Sequence, residues 1–200
     1  AAANVSVGNS LTITPSTALT DNGSVTSVAV QSGGSYTGGI SVSTSGVISL
    51  SNAPPAGSHT LVIRATDNCG ATSDVNVALT IGQASTFKLI TSNVSPSRFG
   101  EAVTFSVAVS GVNPSGSVEF FAGTTSLGTA PLVASPSGGA NLKLASLTLS
   151  TLPVGSSVIT ARYAGDVNNI ASTSADLAHT VNSSGTRIAL TPAANPAPVG

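Results

Sequence analysis

The chain has 200 residues, a formal net charge of −1 and only 6% charged residues, against about 25% in an ordinary soluble domain. Mean hydropathy is +0.37, yet no apolar run reaches the ~18 residues that span a bilayer as a helix, and disorder pairs low hydrophobicity with high net charge. Membrane insertion by a helix and a disordered chain are therefore set aside, and a near-neutral protein has no field with which to hold nucleic acid.

Helix signals are nearly absent, while Ser, Thr, Asn and Gly interleave with Val, Ile, Leu and Ala, the palette of sheets and turns. In chain order, alternation first stands out where His59, Leu61, Ile63 and Ala65 share one face and Thr60, Val62 and Arg64 the other. Val75, Val77, Leu79 and Ile81 share a face in the next strand, as do Val103, Phe105, Val107 and Val109 further on. Val118 with Phe120, then Ile159, Ala161 and Tyr163, and finally Leu177, His179 and Val181 repeat the pattern. One buried face and one wet face mark an antiparallel sheet. Turn clusters break the pattern at Asp21-Asn22-Gly23, Ser32-Gly33-Gly34, 53–57, Asn113-Pro114-Ser115-Gly116, 135–139 and Gly165-Asp166. Short strands at such spacing predict sandwiches of two sheets.

Ile81 ends a strand, and Gly82-Gln83-Ala84-Ser85 has no hydrophobic pattern. The expected organisation is a sandwich over 1–82, a linker at 83–85, a second sandwich over 86–182, and the first strand of a further repeat over 183–200. That last element rests on an internal repeat. TRIALTPAANPAPVG (186–200) aligns with TFKLITSNVSPSRFG (86–100), matching Thr86 with Thr186, Thr91 with Thr191, Pro96 with Pro196 and Gly100 with Gly200, and setting Ile90 against Leu190. The chain thus reads as a fragment of an array, trimmed or processed at Ala1. A lone strand gains nothing from staying ordered. Residues 186–200, with Ile188, Leu190 and Pro196, are therefore expected to pair with a sheet edge, either in their own chain or in a neighbouring copy by β-strand addition.

Residues 86–182 closely resemble the bacterial immunoglobulin-like repeats known as bacterial Ig-like domain 3. The stretches that carry the resemblance are Pro96 to Gly100 ahead of Ala102-Val103-Thr104-Phe105, Gly116 to Phe121, Ser126-Leu127-Gly128, and Val158 through Tyr163 to Asp166. Residues 38–81 resemble the Ig- or cadherin-like repeats of similar proteins through Gly39-Ile40-Ser41-Val42, Ser45-Gly46-Val47-Ile48 and Gly57 to Asp67. The resemblance implies two tandem immunoglobulin-like antiparallel β-sandwiches in a secreted or surface-anchored bacterial protein. It implies a stalk or adhesin and no enzyme.

Candidate chemistry is sparse. His59 and His179, the only histidines, are expected to face inward as packed, hydrogen-bonded residues. Cys69, the single cysteine, sits in the turn Asp67-Asn68-Cys69-Gly70 with no basic neighbour to activate it. No catalytic residue is assigned and no cofactor is expected. Asp67 is the one metal candidate, because Ala65-Thr66-Asp67 resembles the Ala-x-Asp calcium segment of cadherins. Calcium wants six to eight oxygens, however, and the linker carries no acid, so Asp67 is expected to fix its own turn. An isopeptide pair of Lys88 with Glu119 is disfavoured because Val118 and Phe120 take the inward positions. Arg64 and Arg162 are read as solvated strand charges that discourage edge pairing, and Phe121 as the exposed aromatic. The leading expectation is a non-catalytic extracellular or cell-surface spacer whose partners are neighbouring Ig-like domains of the array or other copies of the chain. The alternatives are a filament subunit assembled through 186–200, and an adhesin module for a host glycan or protein.

Overall fold

The computed structural model describes residues 3–17, 19, 23–51, 55–136, 138–186 and 188–189, with the backbone alone at 87. The described chain is all β. Up to Gly82 it forms β1 (Ala3–Ser6), β2 (Leu11–Ile13), β3 (Val25–Ser32), β4 (Gly39–Val42), β5 (Ile48–Ser51), β6 (Gly57–Asp67) and β7 (Thr72–Gly82). From Phe87 onward it forms β8 (Phe87–Ser92), β9 (Ser97–Arg98), β10 (Val103–Ser110), β11 (Ser117–Ala122) and β12 (Thr125–Pro131). These are followed by β13 (Val133–Ser135), β14 (Gly139–Leu149), β15 (Gly155–Tyr163), β16 (Ser172–Thr173) and β17 (Leu177–Asn182).

The first set of strands builds two sheets, ordered β1-β7-β6-β3 and β2-β5-β4. The second set builds β13-β14-β10-β8 and β12-β11-β15-β17-β9, with β16 added on β15. Register follows the apolar alternation: His59, Leu61 and Ile63 pair with Leu79, Val77 and Val75, Val118 and Phe120 with Tyr163 and Ala161, and Phe105 and Val107 with Leu147 and Ala145. Because the side-chain period is two, this register puts each apolar set on one face. Two cores result. Tyr36, Ile48, Leu50, Leu61, Leu79 and Ile81 anchor the first, and Phe105, Val107, Phe120, Ile159 and Tyr163 the second.

Two edges depart from the antiparallel pattern: β1 runs parallel to β7 and β9 parallel to β17. In both places a short segment, β1 in the first unit and β9 in the second, lies along the unit's last strand before the chain crosses to the opposite sheet. It crosses at a glycine with positive φ, +82° at Gly8 and +86° at Gly100, a conformation L side chains rarely adopt.

Arg64 and Arg162 also need correction. β6 lies between β7 and β3, and β15 between β11 and β17, so neither arginine guards an edge. Arg64 instead grips its cross-strand partner Asp74 through two hydrogen bonds of 2.7 Å. All five described Lys and Arg residues (Arg64, Lys88, Arg98, Lys143 and Arg162) lie within strands.

Val75 departs from its pattern. It shares the inward face of β7 yet is 58% exposed, because the facing chain leaves its ladder after Ile13, just ahead of Pro15, which has no N–H to give. A cavity of about 440 Å³ opens there between the two N-terminal sheets.

Phe105 and Phe120 are fully buried. Truncating either to Ala is expected to cost about 3–5 kcal/mol, read as a lower melting midpoint; an unchanged melt would show that the ring is not core.

Candidate functional site: the junction at Asp166 and Asn169

Where the two sheet pairs meet, three short segments converge: residues 83–86, the loop 111–116 and the loop 164–171. Gly165 makes the last of these, with φ +85° and so little room that a Cβ would stand 2.7 Å from the Asn169 carbonyl. The tight turn points the Asp166 carboxylate back into its own loop. Oδ1 accepts from the backbone N–H groups of Asn168 and Asn169 and from Asn169 Nδ2, at 2.8–2.9 Å. Oδ2 accepts from Ser115 N and Oγ and from the Tyr163 hydroxyl, at 2.8–3.0 Å. Burial by itself would raise this carboxyl, but the hydrogen bonds from Tyr163, Asn169, Asn168 and Ser115 together outweigh it and hold its pKa at about 2. Burial, reinforced by the bond to Asp166, pushes the Tyr163 hydroxyl up to about 12.

Asn169 is fully buried. Its amide treats Val112 as a strand would: Oδ1 accepts from Val112 N at 2.7 Å and Nδ2 donates to Val112 O at 3.0 Å. Val112 in turn packs against the core of the first sheet pair. The linker is tied into the same knot. Ala84 N donates to Asn168 O at 2.7 Å, Ile170 N to Ala84 O at 3.0 Å, and Gln83 Nε2 to Asp166 O at 2.6 Å. A carboxylate offers about four lone-pair sites, so six donors leave Asp166 no capacity for a cation.

The residues singled out from sequence are not brought together. Asp67 Oδ1 accepts from Cys69 N and Ala71 N, both at 2.8 Å, closing the β6–β7 turn. The eleven residues of β7 separate that turn from the linker, about 35 Å of strand. Among the described residues no three His, Cys, Asp or Glu side chains stand close enough to hold a metal. His59 bonds Ser35 Oγ at 2.8 Å and Pro55 O at 3.0 Å. His179 bonds Ser97 Oγ at 2.9 Å, stands edge-on to Phe105, and leaves Nδ1 buried without a partner; burial lowers its pKa. Cys69 is exposed.

Glu119 faces outward, taking a hydrogen bond from Ser126 at 2.6 Å. Lys88 points to the other face of that sheet, buried beneath the Tyr163 ring at 5.1 Å and bonded to the Ser172 carbonyl. Phe121 is only half-buried, and Phe99 is the aromatic that stands 53% exposed. Ile188 is exposed, while Leu190 and Pro196 lie outside the described residues.

Two sheets packed face to face around a shared core are the architecture of an immunoglobulin-like domain. Residues 90–182 match the family model described as bacterial Ig-like domain (group 3), over the stretch where the sequence resemblance placed it. The chain is also similar to solved structures of low identity. The fibronectin(III)-like modules of Clostridium thermocellum CbhA are 12% identical, with 98% of this chain and 96% of that one covered at a TM-score of 0.37. The Yersinia pseudotuberculosis adhesin InvE is 13% identical, with 90% and 56% covered at 0.39. A run of titin domains is 14% identical, with 90% and 62% covered at 0.41. No curated protein matches the chain.

Two pH responses follow. Asp166 ionises near 2 when folded and near 3.9 when unfolded, so its contribution is intact above about pH 4 and lost as pH falls toward 2. Denaturant midpoints of the Asp166→Asn variant should be lower at neutral pH and flatter across that window; parallel curves for variant and parent would refute the assignment. Lys88 is held down to about 8 by burial and then by the Arg162 charge. Below pH 8 its buried cation opposes folding, and that cost is relieved as pH rises toward about 10.4, the unfolded value. The stability of Lys88→Met relative to the parent is therefore expected to fall between pH 8 and 10; a difference constant with pH would contradict it.

Proposed function

We propose that the chain is a structural spacer of a secreted or cell-surface multidomain protein, with domains over 1–82 and 86–182 and a linker of 83–85 that is locked in place. The observation that supports this most is the junction. The linker backbone is hydrogen-bonded to the loop that Asp166 organises, and Asn169 holds the Val112 backbone at both its polar atoms. Domains of this bacterial family are common in surface proteins, and the immunoglobulin-like fold is typically non-catalytic.

The junction is held by neutral amides and a single saturated carboxylate. The separation of the two units is therefore set by short-range hydrogen bonds, which salt screens little. The low charge of the surface adds to the same indifference. Among the described residues Phe99 is the one aromatic more than half exposed, which disfavours a glycan-binding role.

Spin labels on Cys69 and on a cysteine placed at Thr151, both exposed, measure the spacing directly. A narrow distance distribution, unchanged by salt or a chelator and broadened by Asn169→Ala, is the expected result. A broad distribution in the parent protein would sink the spacer reading.

A further inference from the structure

The two halves of the chain differ at one edge. In the C-terminal sheets, β8 lies antiparallel on β10, setting Ile90 against Val107 and Lys88 against Val109. In the N-terminal sheets, β2 is paired on one side by β5, and among the described residues nothing pairs its other side. Equivalent positions are fixed by the entry glycines. β2 begins at Leu11, three residues after Gly8, and β10 begins at Val103, three residues after Gly100. Ile13, Pro15 and Thr17 therefore stand where Phe105, Val107 and Val109 stand in the second unit. Those three residues line the 440 Å³ cavity, together with Ile48, Ile63 and Val77. The cleft opens where the first unit lacks the strand that β8 supplies in the second.

The chain contains a segment suited to that place. Residues 186–200 repeat 86–100, so Ile188 and Leu190 fall at the positions of Lys88 and Ile90. In β8 those two side chains face the core, at 5% and 6% exposure, whereas Leu89 between them is 58% exposed. In the repeat both core-facing positions are aliphatic. We propose that the cleft beside β2 accepts residues 186–200 of a second copy of this chain as an added strand, with Ile188 and Leu190 covering Ile13, Ile48 and Ile63. Backbone hydrogen bonds to an open edge supply affinity and alternate side chains supply register. The contact joins unlike surfaces, so it propagates head to tail unless a ring closes. The inference rests on the structural reading above, which the label-distance experiment tests separately.

The test uses the full chain and two variants: Val75→Lys, which charges the cleft wall, and Ile188→Asp, which charges the strand. Both positions are exposed, at 58% and 80%, so both variants should keep cooperative melts. Sedimentation of the parent over a concentration series should show chains of growing mass. Each variant alone should associate at least ~10-fold more weakly. An equimolar mixture should stop at a dimer, because one intact cleft then meets one intact strand. A synthetic 186–200 peptide should bind the Ile188→Asp chain and fail to bind the Val75→Lys chain. A parent that stays monomeric while the peptide fails to bind overturns the proposal, as do variants that associate as the parent does.

Discussion

Six donors converge on the carboxylate of Asp166, and the loop they hold bonds Gln83, Ala84 and Val112. Two of the donors are backbone amides of the same loop, two belong to Ser115 of another loop, one is the Tyr163 hydroxyl at the end of β15, and one is the amide of Asn169. With that carboxylate satisfied, Asn169 is fixed in the orientation that clamps Val112, and the carbonyl of Asn168 is presented to Ala84. A hydrogen bond to a charged acceptor is worth roughly twice a neutral one. The arrangement therefore concentrates its strongest bonds in the loop that holds Ala84 and Val112.

Elsewhere the fold manages with few charges. Arg64 and Asp74 neutralise each other across β6 and β7, and Glu119 is satisfied by a serine. Lys88 is the exception, an amine under an aromatic ring with a carbonyl for company. Its position in β8 is an inward one, occupied by an aliphatic residue in the repeated segment. The second unit thus carries a local cost that its twin sequence avoids.

The faces of the strands were legible because alternation is a local property: His59, Leu61 and Ile63, and Val103 through Val109, are buried where the pattern puts them. The parallel edges were not, since the partner of β1 is decided by where the chain enters and not by its own side chains. The role of Asp166 was invisible for a similar reason. Its motif, Tyr163 to Asp166, was visible as a family signature, but Ser115 and Val112 lie some fifty residues away in sequence. The exposed aromatic was misplaced at Phe121 because the strand alternation says nothing about Phe99, which follows a two-residue strand at an edge. Arg64 was read as an edge charge for want of the strand order.

The placement of the basic residues has one more consequence. Digestive and many host proteases cut after Lys or Arg, and they need several residues of extended, unpaired chain to enter the cleft; loop tips are where they find it. Every described Lys and Arg here is committed to a strand, while the turns are built of Gly, Ser, Asn and Pro. At these five residues a trypsin-like enzyme finds its cleavage site only when a sheet opens, so there resistance is set by the cores and not by any shield over the loops.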